Sequence, residues 1–278
     1  MATRGSSAGT APDDRTGIQS LETGMSVLSA FIGLEPMPML KTIAERAGMP
    51  PAKAHRYLVS LCRAGYAVQD AETGRYRLGA EALRLGFAAT TAIEVLGILR
   101  PMLGNLCQEF RHSVLVAVWG AGGPTVAMQQ FLPAPVTISA TVGGTLPMLR
   151  SSTGRTFGAW LPRHVTAALV QKEVDWLQQH PATDCPSTPE GCEILFADAR
   201  KRGLARSAGQ FNAALNALSA PVFDIHGQIT AVLTVVGPAG MLDVSFTGPL
   251  AQDLRARALE VSRLLGYGGE LPETGGAP

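Results

Sequence analysis

The sequence predicts an α+β protein of two unlike parts: a winged helix-turn-helix near the N-terminus and a larger α/β domain after it. Three observations carry this reading. Apolar residues recur at helical spacing from Ser20 to about Gly86, interrupted by the tight turn Gly48-Met49-Pro50. A short hairpin follows around Thr73-Gly74. From about His112 onward, strand-like apolar runs alternate with helical stretches.

Residues 1–17 are rich in Gly, Ser, Thr, Ala and Asp without periodicity, and are expected to form a disordered tail. Ser20 then suits a helix cap, ahead of Leu21, Met25, Leu28 and Phe31/Ile32 near 3.6-residue spacing, until Pro36 and Pro38 break the pattern. The second helix carries Leu40, Ile43, Ala44 and Ala47 and stops at Gly48. Pro51 suits the first position of a third helix, whose buried stripe is Ala54, Leu58 and Leu61. Two helices joined by so tight a turn mark a helix-turn-helix. The runs 66–69 and 75–78 flank a Gly-containing loop and form the wing. Residues 80–110 read as helix with a break near Pro101.

In the second part, 114–119 and 125–130 flank Gly120-Ala121-Gly122-Gly123 as a hairpin, and Val136 to Val142 reads as a third strand. Thr153 to Leu161, His164 to Gln171 and Pro189 to Gly203 read as helices. Ala217 to Phe223 and Gln228 to Val236 pair around the turn at Asp224 to Gly227, and Phe246 to Leu265 closes the domain as an amphipathic helix. The boundaries expected are 18–79 for the winged domain, 80–95 for a linker helix, 96–267 for the α/β domain and 268–278 for a flexible tail.

The 278 residues carry 23 Lys+Arg against 22 Asp+Glu, so the formal net charge is +1. That excludes a chain coating nucleic acid along its whole surface, but not a charged patch. Residues 15–90 hold nine Lys/Arg and six Asp/Glu, and no acidic residue lies between Glu45 and Asp70. The acid-free window is the third helix with its flanks, where a carboxylate would be repelled by phosphates. No stretch reaches the roughly 18 apolar residues of a membrane helix, and the first residues lack the apolar core of a signal peptide. Cys62, Cys107, Cys185 and Cys192 form no Cys-x-x-Cys pair. A cytoplasmic location with free thiols and no membrane contact is expected.

Residues near the start of the second helix of a helix-turn-helix reach base edges. Lys53 and Arg56 are therefore candidates for base or phosphate contact, with Tyr57 and Ser60 on or near the same face. His55 either packs against a neighbouring element or touches a base, and Tyr57 faces the same choice. Thr42 on the second helix, and Thr73, Arg75 and Arg77 on the wing, complete the candidate nucleic-acid face. The bland alternative is a winged domain that binds protein and leaves Lys53 and Arg56 solvated.

The stretches Ile18 to Leu21, Leu40 to Gly48, Ala54-His55-Arg56, Leu61, Gly65-Tyr66 and Glu72 to Gly79 closely resemble the IclR family of bacterial transcription regulators. The resemblance continues in Arg150 to Gly154, Ala220 to Asp224 and Gly237-Pro238, and spans Ile18 to Leu265. It implies an operator-DNA partner, a C-terminal GAF-like effector-binding domain that takes a small organic acid, and a homodimer or dimer of dimers. It also implies a pocket built from Leu146, Met148, Arg150, Ser151, Ser152, Thr153 and Gly154, the segment around Ser207, and the strand positions Ala217, Thr234 and Val236. The sequence departs from the family's usual recognition-helix start at Pro51, Ala52 and Lys53, which bears on operator sequence. It also has Ala217 and Val236 where some relatives that bind very small acids present Cys and Ser.

The helix opening at Ser151 to Gly154 offers unpaired N–H groups suited to a carboxylate. Arg150 and Arg155 stand beside it; Arg155 reads equally as a surface residue. With Trp119, Met128 and Phe131 nearby, an apolar pocket for an aromatic or largely apolar carboxylate is expected, the alternative being that these three are core. No enzyme signature is present: no Gly-x-Ser-x-Gly elbow, P-loop, Rossmann fingerprint or His-Glu-x-x-His. No cofactor or metal is expected. His180, Cys185 and Cys192 lie in a Pro-rich stretch with spacing unusual for zinc.

Overall fold

The computed structural model describes residues 17–91, 94–132 and 140–269. Contacts divide the chain into two compact units, parting near Leu85 and Gly86.

The first unit begins with α1 (Gln19–Ser29). Ile18, not Ser20, occupies its N-cap and no side chain caps it, so the helix starts two residues earlier than the cap chemistry suggests. Helices α2 (Leu40–Arg46) and α3 (Pro51–Arg63) follow. Gly48 between them adopts φ +66°, a left-handed conformation that a Cβ would strain, and the Met49 N–H closes back on the Ala44 carbonyl. Pro51 opens α3, where its missing N–H costs nothing. Strands β1 (Ala67–Gln69) and β2 (Tyr76–Leu78) pair antiparallel as the wing. Val27, Phe31, Ile43, Leu58 and Tyr76 form the core that joins the three helices to the wing. Then comes α4 (Ala80–Thr91), within which the two units part.

The second unit takes in the end of α4 and continues with α5 (Glu94–Phe110), which keeps Pro101 inside it, so the expected break at that proline is corrected. Strands β3 (Ser113–Gly120) and β4 (Gly123–Gln130) form the anticipated hairpin. Of the expected strand at 136–142, residues 136–139 lie outside the described residues and 140–142 are not strand. Helices α6 (Ser152–Trp160), α7 (Arg163–Gln179) and α8 (Pro189–Arg202) follow, α7 running eight residues beyond the expected end. Strands β5 (Ala205–Ala208), β6 (Leu215–Phe223) and β7 (Ile229–Pro238) and helix α9 (Pro249–Leu264) complete the unit.

The five strands form one antiparallel sheet in the order β4-β3-β7-β6-β5. Its side chains alternate between faces, as the two-residue period requires. Val114, Val116, Leu218, Leu233 and Val235 pack against α5 and α9. Leu115, Ala117, Val232 and Val236 turn the other way, toward Phe157 of α6. A further cluster joins α6, α7 and α8 through Phe196, Leu177 and Val174. The sheet thus lies between two helical layers. Strand β5 ends it as a short edge: Arg155 donates to the Arg206 carbonyl and the Ala208 N–H bonds the Gln210 amide oxygen.

Candidate functional site

The sheet register builds one site on the α6 face. Ala217 on β6 pairs with Ser207 on β5 and with Val236 on β7, a row across three strands. One step along, Ser219 pairs with Thr234, and Thr234 with Leu115 on β3. Because both rows point toward α6, its first turn faces them. Between them lies a narrow cavity of about 50 Å³, lined by Leu146, Ser151, Ser152, Thr153, Ser207, Ala217, Thr234 and Val236 as expected. Leu115, Ala140, Phe211, Asn212, Leu215 and Asn216 also line it and were not anticipated.

The floor is a chain of four buried hydroxyls. Thr153 and Thr234 are 2.9 Å apart, Ser219 and Thr234 are 2.7 Å apart, and the Ser219 hydroxyl donates to Ser152 at 2.7 Å. Each hydroxyl has a single proton. Since Ser219 spends its own on Ser152, Thr234 must donate to Ser219 and Thr153 to Thr234. The direction is therefore set, and the chain ends with the Ser152 proton free to meet an acceptor.

Ser151 caps α6: its hydroxyl accepts from the Gly154 N–H at 2.9 Å and donates to the Pro147 carbonyl at 2.6 Å. The N–H groups of Ser152 and Thr153 have no partner among the described residues, as the first turn of a helix leaves them. Two backbone donors and one hydroxyl donor thus serve the polar end of an otherwise apolar slot. This is chemistry for a small anion with an apolar body.

Three expected lining residues are placed elsewhere. Met148 is buried among α6, α7 and α8, outside the slot. Gly154 faces the preceding loop, where its bare Cα allows close approach of the Met148 backbone. Arg150 turns its side chain away: its Nε donates to Glu173 at 3.0 Å, and the guanidinium lies 4.1 Å from the Trp176 ring centroid. Only its carbonyl serves the slot, accepting from Ser207 at 3.0 Å. The proposed aromatic lining is also corrected. Trp119 stacks edge-on with Phe157, Met128 joins the core on the opposite sheet face, and Phe131 is exposed.

Arg155 is buried, not a surface residue. It donates to the carbonyls of Leu149, Arg206 and Asp184 at 2.6, 2.8 and 2.9 Å, and desolvation draws its pKa down. His180 stacks on Trp176, and Cys185 accepts from Arg155. Cys192 is buried, its thiol pushed up to about 11, chiefly by desolvation.

On the first unit, Lys53, His55, Arg56 and Ser60 are exposed on α3, with Arg63 one turn on, and Thr42 is half-buried on α2. Among the described residues, Lys53, Arg56 and Arg63 pair with no carboxylate. Tyr57 is corrected to a packing residue: it meets Gly24 of α1 and joins the domain core. Two wing expectations are corrected as well. The Thr73 hydroxyl is spent on Asp70 at 2.7 Å, a bond that helps hold that carboxyl below its ordinary range. Arg75 is held by Glu35 at 3.0 Å and by the Met37 carbonyl at 2.8 Å, whereas exposed Arg77 pairs with no carboxylate among the described residues. Arg75→Ala is expected to cost the first unit about 1 kcal/mol, since a part-exposed pair is screened and only one charged bond is well shielded. Thermal unfolding checks this, and no change in melting temperature would count against the clamp.

Residues 87–263 match the family model described as bacterial transcriptional regulator IclR C-terminal, and residues 20–71 match the IclR helix-turn-helix domain. Over 271 residues the chain is 27% identical to the transcriptional repressor IclR of Escherichia coli (strain K12), covering 96% of this chain and 97% of that protein. Among solved structures, Pseudomonas aeruginosa HmgR is 40% identical with a TM-score of 0.57, covering 91% of this chain and 100% of that one. An IclR homolog from Microbacterium hydrocarbonoxydans, complexed with 4-hydroxybenzoate, shares the fold at a TM-score of 0.72 and 22% identity, covering 88% of this chain and 98% of its own.

Proposed function

Because this chain belongs to the IclR family of transcription regulators, we propose that its C-terminal domain senses a small, largely apolar or aromatic carboxylate whose binding changes operator affinity. One observation carries the reading: the N–H groups of Ser152 and Thr153 and the outward proton of Ser152 meet a slot walled by Leu115, Leu146, Leu215, Ala217 and Val236. The carboxylate sits at the helix start and the apolar body against the strands. The Microbacterium homolog binds 4-hydroxybenzoate, an acid of this kind. No catalytic step is assigned to the slot, since the Ser151 and Ser152 hydroxyls bond carbonyl and hydroxyl partners and no base.

Operator contact is assigned to Lys53, His55, Arg56 and Ser60, with Thr42 and Arg77 flanking. One winged domain reads too short a site for strong specificity, so the regulator acts as a homodimer or dimer of dimers. The exposed Ile18 at the N-cap of α1, Leu21 and Met25 on α1, and Leu83 and Leu85 on α4, offer apolar surface for that pairing. Ligand then acts by binding one arrangement of the winged domains better than another, shifting operator affinity by that difference.

The test is a calorimetric screen of carboxylates joined to gel shifts on the upstream region. Benzoate-sized acids are expected to bind and to alter a salt-sensitive, sequence-specific shift. Binding confined to two- and three-carbon acids would remove the apolar-ligand reading.

A further inference from the structure

The slot has a neighbour. Leu146 and Phe211 line it and also line a second cavity, of about 380 Å³, whose other walls include Arg150, Lys172, Glu173 and Trp176. These two side chains therefore form the wall shared by an apolar slot and a cationic one. In the second cavity Glu173 is already satisfied: its carboxylate accepts from the N–H groups of Leu149 at 2.9 Å and Arg150 at 3.1 Å. The Arg150 guanidinium gives only its Nε to Glu173. Its two terminal amino groups have no partner among the described residues. Trp176 at 4.1 Å and Phe211 at 6.0 Å, centroid distances, flank the guanidinium.

We infer that the effector carries a second oxygen acceptor, a carboxylate or phenolic oxygen, which passes the Leu146–Phe211 wall and is bound by the terminal amino groups of Arg150. The inference rests on the reading of the slot as an acid-binding site. Because Leu146 and Phe211 line both cavities, a ring held at the helix start by its carboxylate has the Arg150 cavity directly beyond those two side chains. Arginine donates and never accepts, which selects an acceptor rather than an amine at that end. Its planar fork, steadied by Glu173 and the Trp176 face, loses little freedom on binding. Lys172 adds a second positive charge at the cavity's rim. The ligand class is thus an apolar-bodied acid with oxygen at both ends.

The experiment compares three para-substituted ring acids on the full chain by calorimetry: 4-methylbenzoate, 4-hydroxybenzoate and terephthalate. The two with a second oxygen are expected to bind at least about tenfold more tightly than 4-methylbenzoate, the effect of a hydrogen bond to a charged group. Arg150→Gln is expected to erase that margin while changing 4-methylbenzoate less than about twofold. Glu173 keeps both backbone donors in this variant, so the fold is retained, and circular dichroism confirms it. Equal affinities for all three acids, or an equal loss for all three in the variant, overturns the second anchor and leaves the slot assignment standing. If none of the three binds the unaltered protein, the slot assignment fails and takes the inference with it.

Discussion

Gly154→Ala is expected to destabilise the C-terminal unit by about 3 kcal/mol or more and to abolish carboxylate binding. In an ordinary helix the change would help, since alanine exceeds glycine in helix propensity by about 1 kcal/mol. Here a Cβ would overlap the Pro147 carbonyl oxygen and lie 2.6 Å from Met148 Cα and 2.8 Å from its oxygen. Those neighbours are backbone, so they cannot swing aside as a side-chain tip would. The loop that must move also holds Ser151, whose hydroxyl bonds Pro147, and so the ligand's end of α6 would move with it. Thermal unfolding with and without a bound acid reads both effects. A variant with unchanged melting temperature and affinity would show that the loop yields freely.

Arg56→Ala is expected to weaken operator binding roughly 5- to 150-fold, the range of about 1–3 kcal/mol for a bidentate base contact. Arg56 lies opposite the stripe of Ala54 and Leu58 that anchors α3, so its loss leaves the domain core intact. The wing cation Arg77 supplies the contrast. Removing it should weaken all sequences alike and flatten the salt dependence by about one unit of slope. Gel shifts on operator and scrambled duplexes at several salt concentrations separate the two. Equal affinity of the Arg56 variant for the operator would remove α3 as the reading helix.

The winged domain was the more legible part. Its helices announce themselves by spacing, and Gly48, Pro50 and Pro51 each have a local conformational reason to stand where they do. Side-chain assignments were less legible, because a residue's partner lies far along the chain: Glu35 claims Arg75 across 40 positions, and Gly24 claims Tyr57. The α/β domain follows the same division. Its hairpins and long apolar strands were readable, whereas β5 is four residues, Ala-Arg-Ser-Ala, with no apolar alternation of its own. Pairing with β6 makes it a strand.

In the slot, positions set by strand register were within reach of the sequence. Ser219 was missed although the signal existed: it lies two residues after Ala217 in an apolar strand, hence on the same face. Phe211 and Asn212 were hidden for a different reason. They come from the chain returning between β5 and β6, where no periodicity operates. Arg150 was placed in the wrong cavity because its direction depends on Glu173, 23 residues away.

The sheet's open margin has a bearing on how this protein behaves when concentrated. A free strand edge invites a strand from another molecule, and β5 ends its sheet without a neighbour. Arg155 reaches from the first turns of α6 to occupy the Arg206 carbonyl, and Gln210 occupies the Ala208 N–H. A buried charge is a costly stopper, but it cannot be pushed out by an incoming backbone without abandoning the Leu149 and Asp184 carbonyls as well. The same guanidinium therefore blocks this edge and secures the helix whose first turn carries the unpaired N–H groups. Self-association is left to surfaces other than this edge.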